Sequence, residues 1–349
     1  MQRYSAIGVM SGSSLDGLDL AWCEFEVDKG RWSYRIREAR TIPYAAPMRD
    51  RLLHVMNGSA LDLARLHRDL GDVIGEECGE LLNGEHVDVI ASHGHTIFHA
   101  PNEGLTTQIG CGARIATVTG MTTVCDFRTM DVALGGQGAP LVPLGERLLF
   151  REHKTFVNIG GICNIALHKE DGLVGYDVCI GNQALNFLAE EGGLRFDEDG
   201  KLARSGKVDA GLLAQLNALS FHHRPPPRSL GREWFEAEFR PLIMNNRISP
   251  ADRMCTVVQH IADQLGTAWK ANIGPVLITG GGAHNSYLIE RLRACSKATI
   301  EIPDTVTIEY KEALIFALLG VRLLRNEATA LATVTGAKKD SVGGAVYLP

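Results

Sequence analysis

The residues best suited to chemistry begin at Gly8-Val9-Met10-Ser11-Gly12-Ser13-Ser14-Leu15-Asp16-Gly17-Leu18-Asp19. An apolar, strand-like run (Ala6, Ile7, Val9) enters this loop, and a second (Leu18, Leu20, Ala21, Trp22) leaves it. Glycines let a backbone turn with positive φ and come close to a ligand, and successive N–H groups in such a loop form an anion-binding nest. Asp16 and Asp19 would repel a bare phosphate, so the loop points to a magnesium-bound nucleotide or a hydroxylated substrate. An ordinary hairpin turn accounts for the same composition.

Two further loops turn this feature into an arrangement. Phe156-Val157-Asn158-Ile159-Gly160-Gly161-Ile162-Cys163-Asn164-Ile165-Ala166 is again strand, glycine turn, strand. Thr279-Gly280-Gly281-Gly282-Ala283-His284-Asn285 follows the apolar run Pro275–Ile278 and precedes a helical pattern at Tyr287, Leu288, Ile289 and Leu292. Two hairpins and a strand–glycine–helix element suit a nucleotide held between two lobes, with the hairpins on the phosphates and the third loop on the adenosine. Phosphoryl transfer then needs a base that orients or deprotonates the nucleophile. Asp177 ends an apolar strand and enters a helix at Gly181-Asn182; alone, an Asp there is more often a turn former or helix cap.

Many ordered motifs extend the pattern: Ser92-His93-Gly94-His95-Thr96, Gln108-Ile109-Gly110, Asp126-Phe127-Arg128 with Asp131, and Leu134-Gly135-Gly136-Gln137-Gly138-Ala139-Pro140-Leu141-Val142-Pro143. Beyond them come Asn158-Ile159-Gly160-Gly161, Gly175-Tyr176-Asp177 with Gly181-Asn182, Gly231-Arg232-Glu233, Gly280–Asn285, Glu312-Ala313 and Val334-Thr335-Gly336-Ala337. Nearly end to end, the chain resembles the anhydro-N-acetylmuramic acid kinases of the sugar kinase/Hsp70/actin superfamily. The resemblance implies a two-lobed actin-like ATPase fold, α/β and ribonuclease H-like, with an active-site cleft between lobes that close around substrate and ATP. It implies hydrolytic opening of a 1,6-anhydro sugar and phosphorylation at O6, with Asp177 as general base on the attacking water. A carboxylate there would also stabilise oxocarbenium character at the anomeric centre.

By the same resemblance, Ser11, Gly12, Ser13 and Asp16 line the phosphate region, Asp16 holding Mg²⁺ through water. Asn158, Gly160 and Gly161 approach the phosphates, and Gly281, Gly282 and Asn285 the adenosine. Arg128 is the candidate for a lactyl carboxylate, because a guanidinium fork fits one bidentately; a salt bridge with Asp126 or Asp131 is the alternative. Glu312, His95 and Gln137 are sugar-binding candidates. Glu312 could instead be a first-turn acid favoured by a helix dipole. His93, His95 and His99 could suggest zinc, without the supporting Cys or acid ligands that such a site needs. Four positions depart from the family pattern: Ser13 for Thr, His95 for Gln, Cys111-Gly112-Ala113 for Asp-Pro-Asn, and Val178-Cys179-Ile180 for Thr-Gly-Pro. Most would lie near the sugar, so a different amino or anhydro sugar is one alternative. A non-catalytic nucleotide-binding regulator on the same fold is another.

Composition sets outer bounds. The 349 residues are 45% hydrophobic and 22% charged with net charge −6, which fits a globular protein of two lobes. No basic block exists to displace counterions from nucleic acid, and no apolar run is long enough for a membrane span. Eight scattered cysteines without a C-x-x-C pair read as a reduced, cytoplasmic protein, expected to lack a leader. The family's habit adds a homodimer.

The first lobe is expected over 1–133 plus 326–349 and the second over 134–325. Strands are expected near 4–10, 18–26, 33–41, 87–90 and 122–125, with Ser92–Thr96 in a loop, and helices near 60–84 and 114–119. A strand meander follows near 155–177, then a helix from Gly181 to Glu191 and an irregular loop over 221–232. Helices near 233–243 and 250–270, a strand at 275–279 and helices at 285–294 and 307–325 complete the pattern.

Overall fold

The structure is a computed structural model that describes residues 1–12, 15, 17–169, 172–226, 228–245, 247–270 and 274–349. Its strands are β1 (Gln2–Ser11), β2 (Gly17–Asp28), β3 (Arg31–Pro43), β4 (Val89–Ala100), β5 (Leu105–Ile109), β6 (Thr123–Cys125), β7 (Thr155–Ile159), β8 (Ile162–Lys169), β9 (Gly172–Ile180), β10 (Val276–Thr279), β11 (Ile300–Glu301) and β12 (Ala345–Tyr347). Contacts group the chain into two compact units, Met1–Arg151 with Tyr310–Pro349, and Glu152–Glu309.

The first unit holds a sheet in the order β12-β6-β4-β1-β2-β3, with β5 added to β4. β1, β2 and β3 form an antiparallel meander, whereas β4 lies parallel to both β1 and β6. The second unit's sheet has the order β11-β10-β7-β8-β9. Again the first three strands form an antiparallel meander, and the next two lie parallel beside the first. Both units therefore repeat one plan: a three-stranded meander followed by parallel strands added beside its first strand. This is the duplicated α/β unit of an actin-like, ribonuclease H-like fold.

Central strands of such sheets are buried on both faces and read as continuous apolar runs. Ala6, Ile7 and Val9 of β1 have no exposed surface. Ile7 and Val9 pack with Leu66, Leu70 and Ile74 of the helix Ala60–Leu82. That helix starts at a capping box, in which Ser59 Oγ accepts from Asp62 N at 3.1 Å and Asp62 accepts from Ser59 N at 3.2 Å. It stops at Asn83 in the left-handed conformation, so both ends are set by local chemistry. The opposite side of β1 meets the helix Thr305–Leu324, where a β-carbon at Gly8 would run into the Ala313 backbone carbonyl. In the second unit, β7–β9 pack with the helices Asn182–Glu191, Pro250–Ala268 and Ser286–Cys295 around Phe239 and Trp269.

Two expectations are corrected. Ser92–Thr96 do not form a loop: β4 runs through them to Ala100. The pairing of Val9 with Ser92 and Ser11 with His95 places a bulge at His93-Gly94, and beyond it the strand continues as the partner of β5. Glu312 is not a first-turn acid, because its helix begins seven residues earlier at Thr305. Among the described residues, no helix is long and apolar enough to cross a membrane, and all eight cysteines are unpaired.

Candidate active site

In the first unit, the chemistry gathers at the carboxyl ends of β1 and β4, the usual place for site residues in parallel α/β sheets. Ser11 ends β1 in register with His95 of β4. Its hydroxyl lies 2.9 Å from His95 Nδ1 and 2.6 Å from Tyr44 OH. Two of the three polar groups are buried, Ser11 and His95 at 2% and 6% exposed, and Tyr44 is half-buried. Burial holds the His95 imidazole below its ordinary value and pushes the Tyr44 phenol up to about 12, so both are neutral hydrogen-bonding groups near neutral pH. Gly12 follows, its carbonyl accepting from Leu15 N at 3.3 Å. Ser13 and Asp16, expected at the phosphates and magnesium, lie outside the described residues.

Arg128 follows β6. It forms no salt bridge with Asp126 or Asp131 among the described residues. Instead, its Nε donates to His93 Nε2 at 3.0 Å and its Nη1 to Gly138 O at 2.9 Å. Asp131 is buried and accepts from Gly138 N and Thr335 Oγ1, both at 2.7 Å, so Arg128 and Asp131 together hold the glycine-rich loop at Gly138. Burial lowers the Arg128 guanidinium's affinity for its proton, and the Glu312 carboxylate partly offsets this. Glu312 reaches solvent, yet surrounding protein pushes its carboxyl above the usual range, against the pull of Lys311 and Arg128. Gln137 is exposed; its backbone N–H donates to Thr335 O at 2.8 Å.

The three histidines do not share a ligand. His93 faces Arg128 and the Gly94 carbonyl, His95 faces Ser11, and His99 faces Thr106. No group of three metal-binding side chains exists among the described residues. His93 has a different job, as the neutral acceptor that orients Arg128. Burial, with Arg128 beside it, lowers its pKa from 6.5 to about 3. The unfolded chain therefore takes up a proton near pH 6.5 that the folded chain refuses until about pH 3, so stability falls as pH drops through that window. Replacing His93 with Gln should flatten the acid slope of stability, read as urea midpoints between neutral pH and pH 4.

In the second unit, the loops expected at the nucleotide converge at the ends of two parallel strands. Asn158 near the end of β7 is paired with Thr279 at the end of β10. Gly280 leaves β10 with φ +83°, and a β-carbon there would sit 2.6 Å from Asn158 Oδ1. Gly282 presses on Ile159, and Gly281 lies near Asn182 Nδ2. The β7–β8 turn is tied to the next helix start, with Asn182 N donating to Gly160 O at 2.8 Å and Gly181 N to Gly161 O at 2.9 Å. Gly161 and Gly281 are exposed. Asn285 is committed to its own helix: its Oδ1 accepts from Leu288 N at 3.0 Å, an N-cap.

Asp177 sits on β9 beside a bulge. Cys163 pairs with Cys179, but Asn164 pairs with Asp177, so Val178 is the extra residue; bulges often re-aim side chains next to active sites. The Asp177 carboxylate accepts from Leu230 N at 2.8 Å. Burial raises its pKa and that hydrogen bond partly restores it. A carboxyl shifted this way suits a general base better than an exposed Asp does. Sequence reading missed Tyr44, the role of His93, and Arg228 beside Asp177. None has a local signal, since each acts through a partner distant in the chain.

The sequence pattern of the anhydro-N-acetylmuramic acid kinase family matches residues 3–349. The anhydro-N-acetylmuramic acid kinase of Vibrio cholerae is 35% identical over 100% of this chain and 99% of its own. That of Xanthomonas axonopodis pv. citri is 36% identical over 98% of this chain and 97% of its own. Among solved structures, component A of the Acidaminococcus fermentans (R)-2-hydroxyglutaryl-CoA dehydratase overlaps 91% of this chain and 98% of its own, at 13% identity and TM-score 0.49. From residue 3 to the last, this chain belongs to the anhydro-N-acetylmuramic acid kinase family.

Proposed function

We propose that the protein is an ATP-dependent kinase that hydrolytically opens 1,6-anhydro-N-acetylmuramic acid and phosphorylates it at O6, in the recycling of cell-wall fragments. The observation that carries this reading is the half-buried Asp177 carboxylate, held at a bulge by one backbone N–H, within a chain that matches the family along its length. In the proposed reaction, water adds to the anomeric carbon and gives its proton to Asp177. The bond from that carbon to O6 breaks, and O6 attacks the γ-phosphorus of ATP, whose bond to the β–γ bridging oxygen breaks as ADP leaves. Arg128 holds the lactyl carboxylate, with His95, Glu312 and Gln137 on the rest of the sugar.

The glycine turn of β7–β8 suits ATP: exposed backbone at Gly161, with Gly160 near the Asn158 carboxamide, fits phosphate oxygens. Ser11, Gly12 and Ser13 are proposed for the phosphates with Asn158, Gly160 and Gly161, and Gly281, Gly282 and Asn285 for the adenosine. ATP is used as its magnesium complex, for which Asp16 is the proposed carboxylate. The enzyme is proposed to act in the cytoplasm, as a homodimer and without nucleic acid.

Mass spectrometry of the product made in heavy-oxygen water tests the reading. The expected product is a 6-phosphate sugar carrying one solvent oxygen at C1. A phosphorylated sugar without the label would assign the chain to a different sugar and remove the hydrolytic step.

A further inference from the structure

Arg228 lies in the segment expected to be an irregular surface loop, directly after a run of prolines. It is instead the most heavily engaged cation near Asp177. Its Nη1 donates to the carbonyls of Phe221, His222 and Arg224 at 3.1, 2.9 and 2.8 Å. Its Nε donates to the Asp177 carbonyl at 3.1 Å, and its own carbonyl accepts from Asp177 N at 3.0 Å. The guanidinium carbon stands 4.9 Å from the Phe221 ring centre and 5.3 Å from that of Tyr176. One planar group therefore gathers the turn over 221–224 and straps it to β9. Two residues further on, the same segment delivers the Leu230 N–H to Asp177 Oδ2 at 2.8 Å.

We infer that Arg228 is a positioning residue for the base: it pins residues 221–224 and 228–230 along β9 so that the Leu230 N–H fixes the orientation and basicity of the Asp177 carboxylate. This deepens the proposed function and rests on it for the meaning of "base". The contacts use two nitrogens of one guanidinium at once, Nη1 for the carbonyls of 221–224 and Nε for the Asp177 carbonyl, a span that a single ammonium does not offer. A lysine keeps the charge but reaches fewer of these carbonyls at once. The Leu230 hydrogen bond favours the charged carboxylate, so losing it leaves desolvation unopposed. The other titratable groups here are Arg228 itself, the Tyr176 phenol, which burial raises against the pull of Arg228, the His222 imidazole, which burial lowers to about 4, and the Cys179 thiol, which interacts with both Arg228 and Asp177 and is held well above its usual range by burial. That thiol stays neutral throughout the pH range of the test.

The test compares Arg228→Lys and Arg228→Gln with the unaltered protein by two measurements. The first is the pH profile of kcat/KM for sugar-dependent ATP turnover. The acidic limb is expected to move to higher pH, and kcat to fall by about a hundredfold, as a displaced reacting group does, with KM for ATP unchanged. The second is carbon NMR titration of the Asp177 carboxyl in aspartate-labelled protein, assigned with Asp177→Asn, which needs no turnover. The Asp177 titration is expected to move upward in both variants. An unmoved NMR titration in folded Arg228→Lys overturns the inference whatever the kinetics show. A shifted titration in a protein that never phosphorylates the anhydro sugar keeps the inference and overturns the proposed reaction. Should Arg228→Gln fail to fold, Arg228→Lys decides alone.

Discussion

Asp177→Asn should lower sugar-dependent ATP turnover by about a thousandfold, the range expected on removing a general base, while nucleotide affinity stays the same. The substitution isolates proton acceptance because its amide oxygen can still accept the Leu230 N–H that the carboxylate accepts at 2.8 Å. Shape and orientation persist; only the capacity to take a proton is lost. The half-buried position matters to the size of the effect, since burial raises the Asp177 pKa and makes it a stronger base than an exposed aspartate. Activity in the unaltered protein should then fall as pH drops through that raised value, because the base works only when ionised. Single-turnover rates with and without the substitution, alongside nucleotide titrations, measure both halves. Turnover that survives within about tenfold would mean that Asp177 only positions the water and that the proton leaves by another route.

The second large effect is structural. Gly8→Ala should destabilise the protein by about 3 kcal/mol, at the upper end of the usual cost of overpacking. The added carbon would collide with the Ala313 carbonyl, and Ala317 N stands next nearest at 2.7 Å. Both are backbone atoms of a helix, so no side-chain rotation relieves the clash and the helix must move away from the sheet. Because Glu312 precedes Ala313, the same displacement carries a candidate sugar-binding carboxylate out of place. Urea denaturation should show a lower midpoint with an unchanged slope. Sugar KM should rise even at temperatures where the variant remains folded. An unaltered midpoint would mean that the helix does not approach β1 this closely.

Much of the architecture was legible because it rests on local pattern. The strands around Gly160-Gly161 are apolar runs parted by a turn, and they form β7 and β8 as expected. The helix from residue 60 announces itself through Leu66, Leu70 and Ile74 at helical spacing, while its caps at Ser59 and Asn83 were read only from the structure. The stretch at 92–96 was misread for a physical reason. A strand carrying His93, Gly94 and His95 lacks the apolar alternation that marks strands, and a bulge supplies what a regular register would not. Glu312 was misjudged because helix starts are hard to place when the first turn, Thr305–Ile308, is β-branched throughout. Short helices such as Ala46–His54 and Val142–Leu149 lack enough turns to show a period.

Side-chain partnerships were the least legible layer. The proximity of Tyr44 to Ser11 and the grip of Arg228 on Asp177 join positions 33 and 51 residues apart, and nothing in the neighbourhood of either residue encodes its partner. The glycine loops were different, since the same residues that permit the turns also advertise them. Even there, Asn285 shows how a polar residue can serve its own element first, by capping the helix it begins.

The tie between Arg128 and His93 has a stereochemical consequence. With Nε occupied by the imidazole and one Nη1 hydrogen by Gly138, the side-on edge of the guanidinium is closed. The donors left for the proposed carboxylate are those of the terminal nitrogens that His93 and Gly138 do not use. A carboxylate held there, as proposed for the lactyl group, would have the plane of its carboxyl group fixed by the plane of the guanidinium.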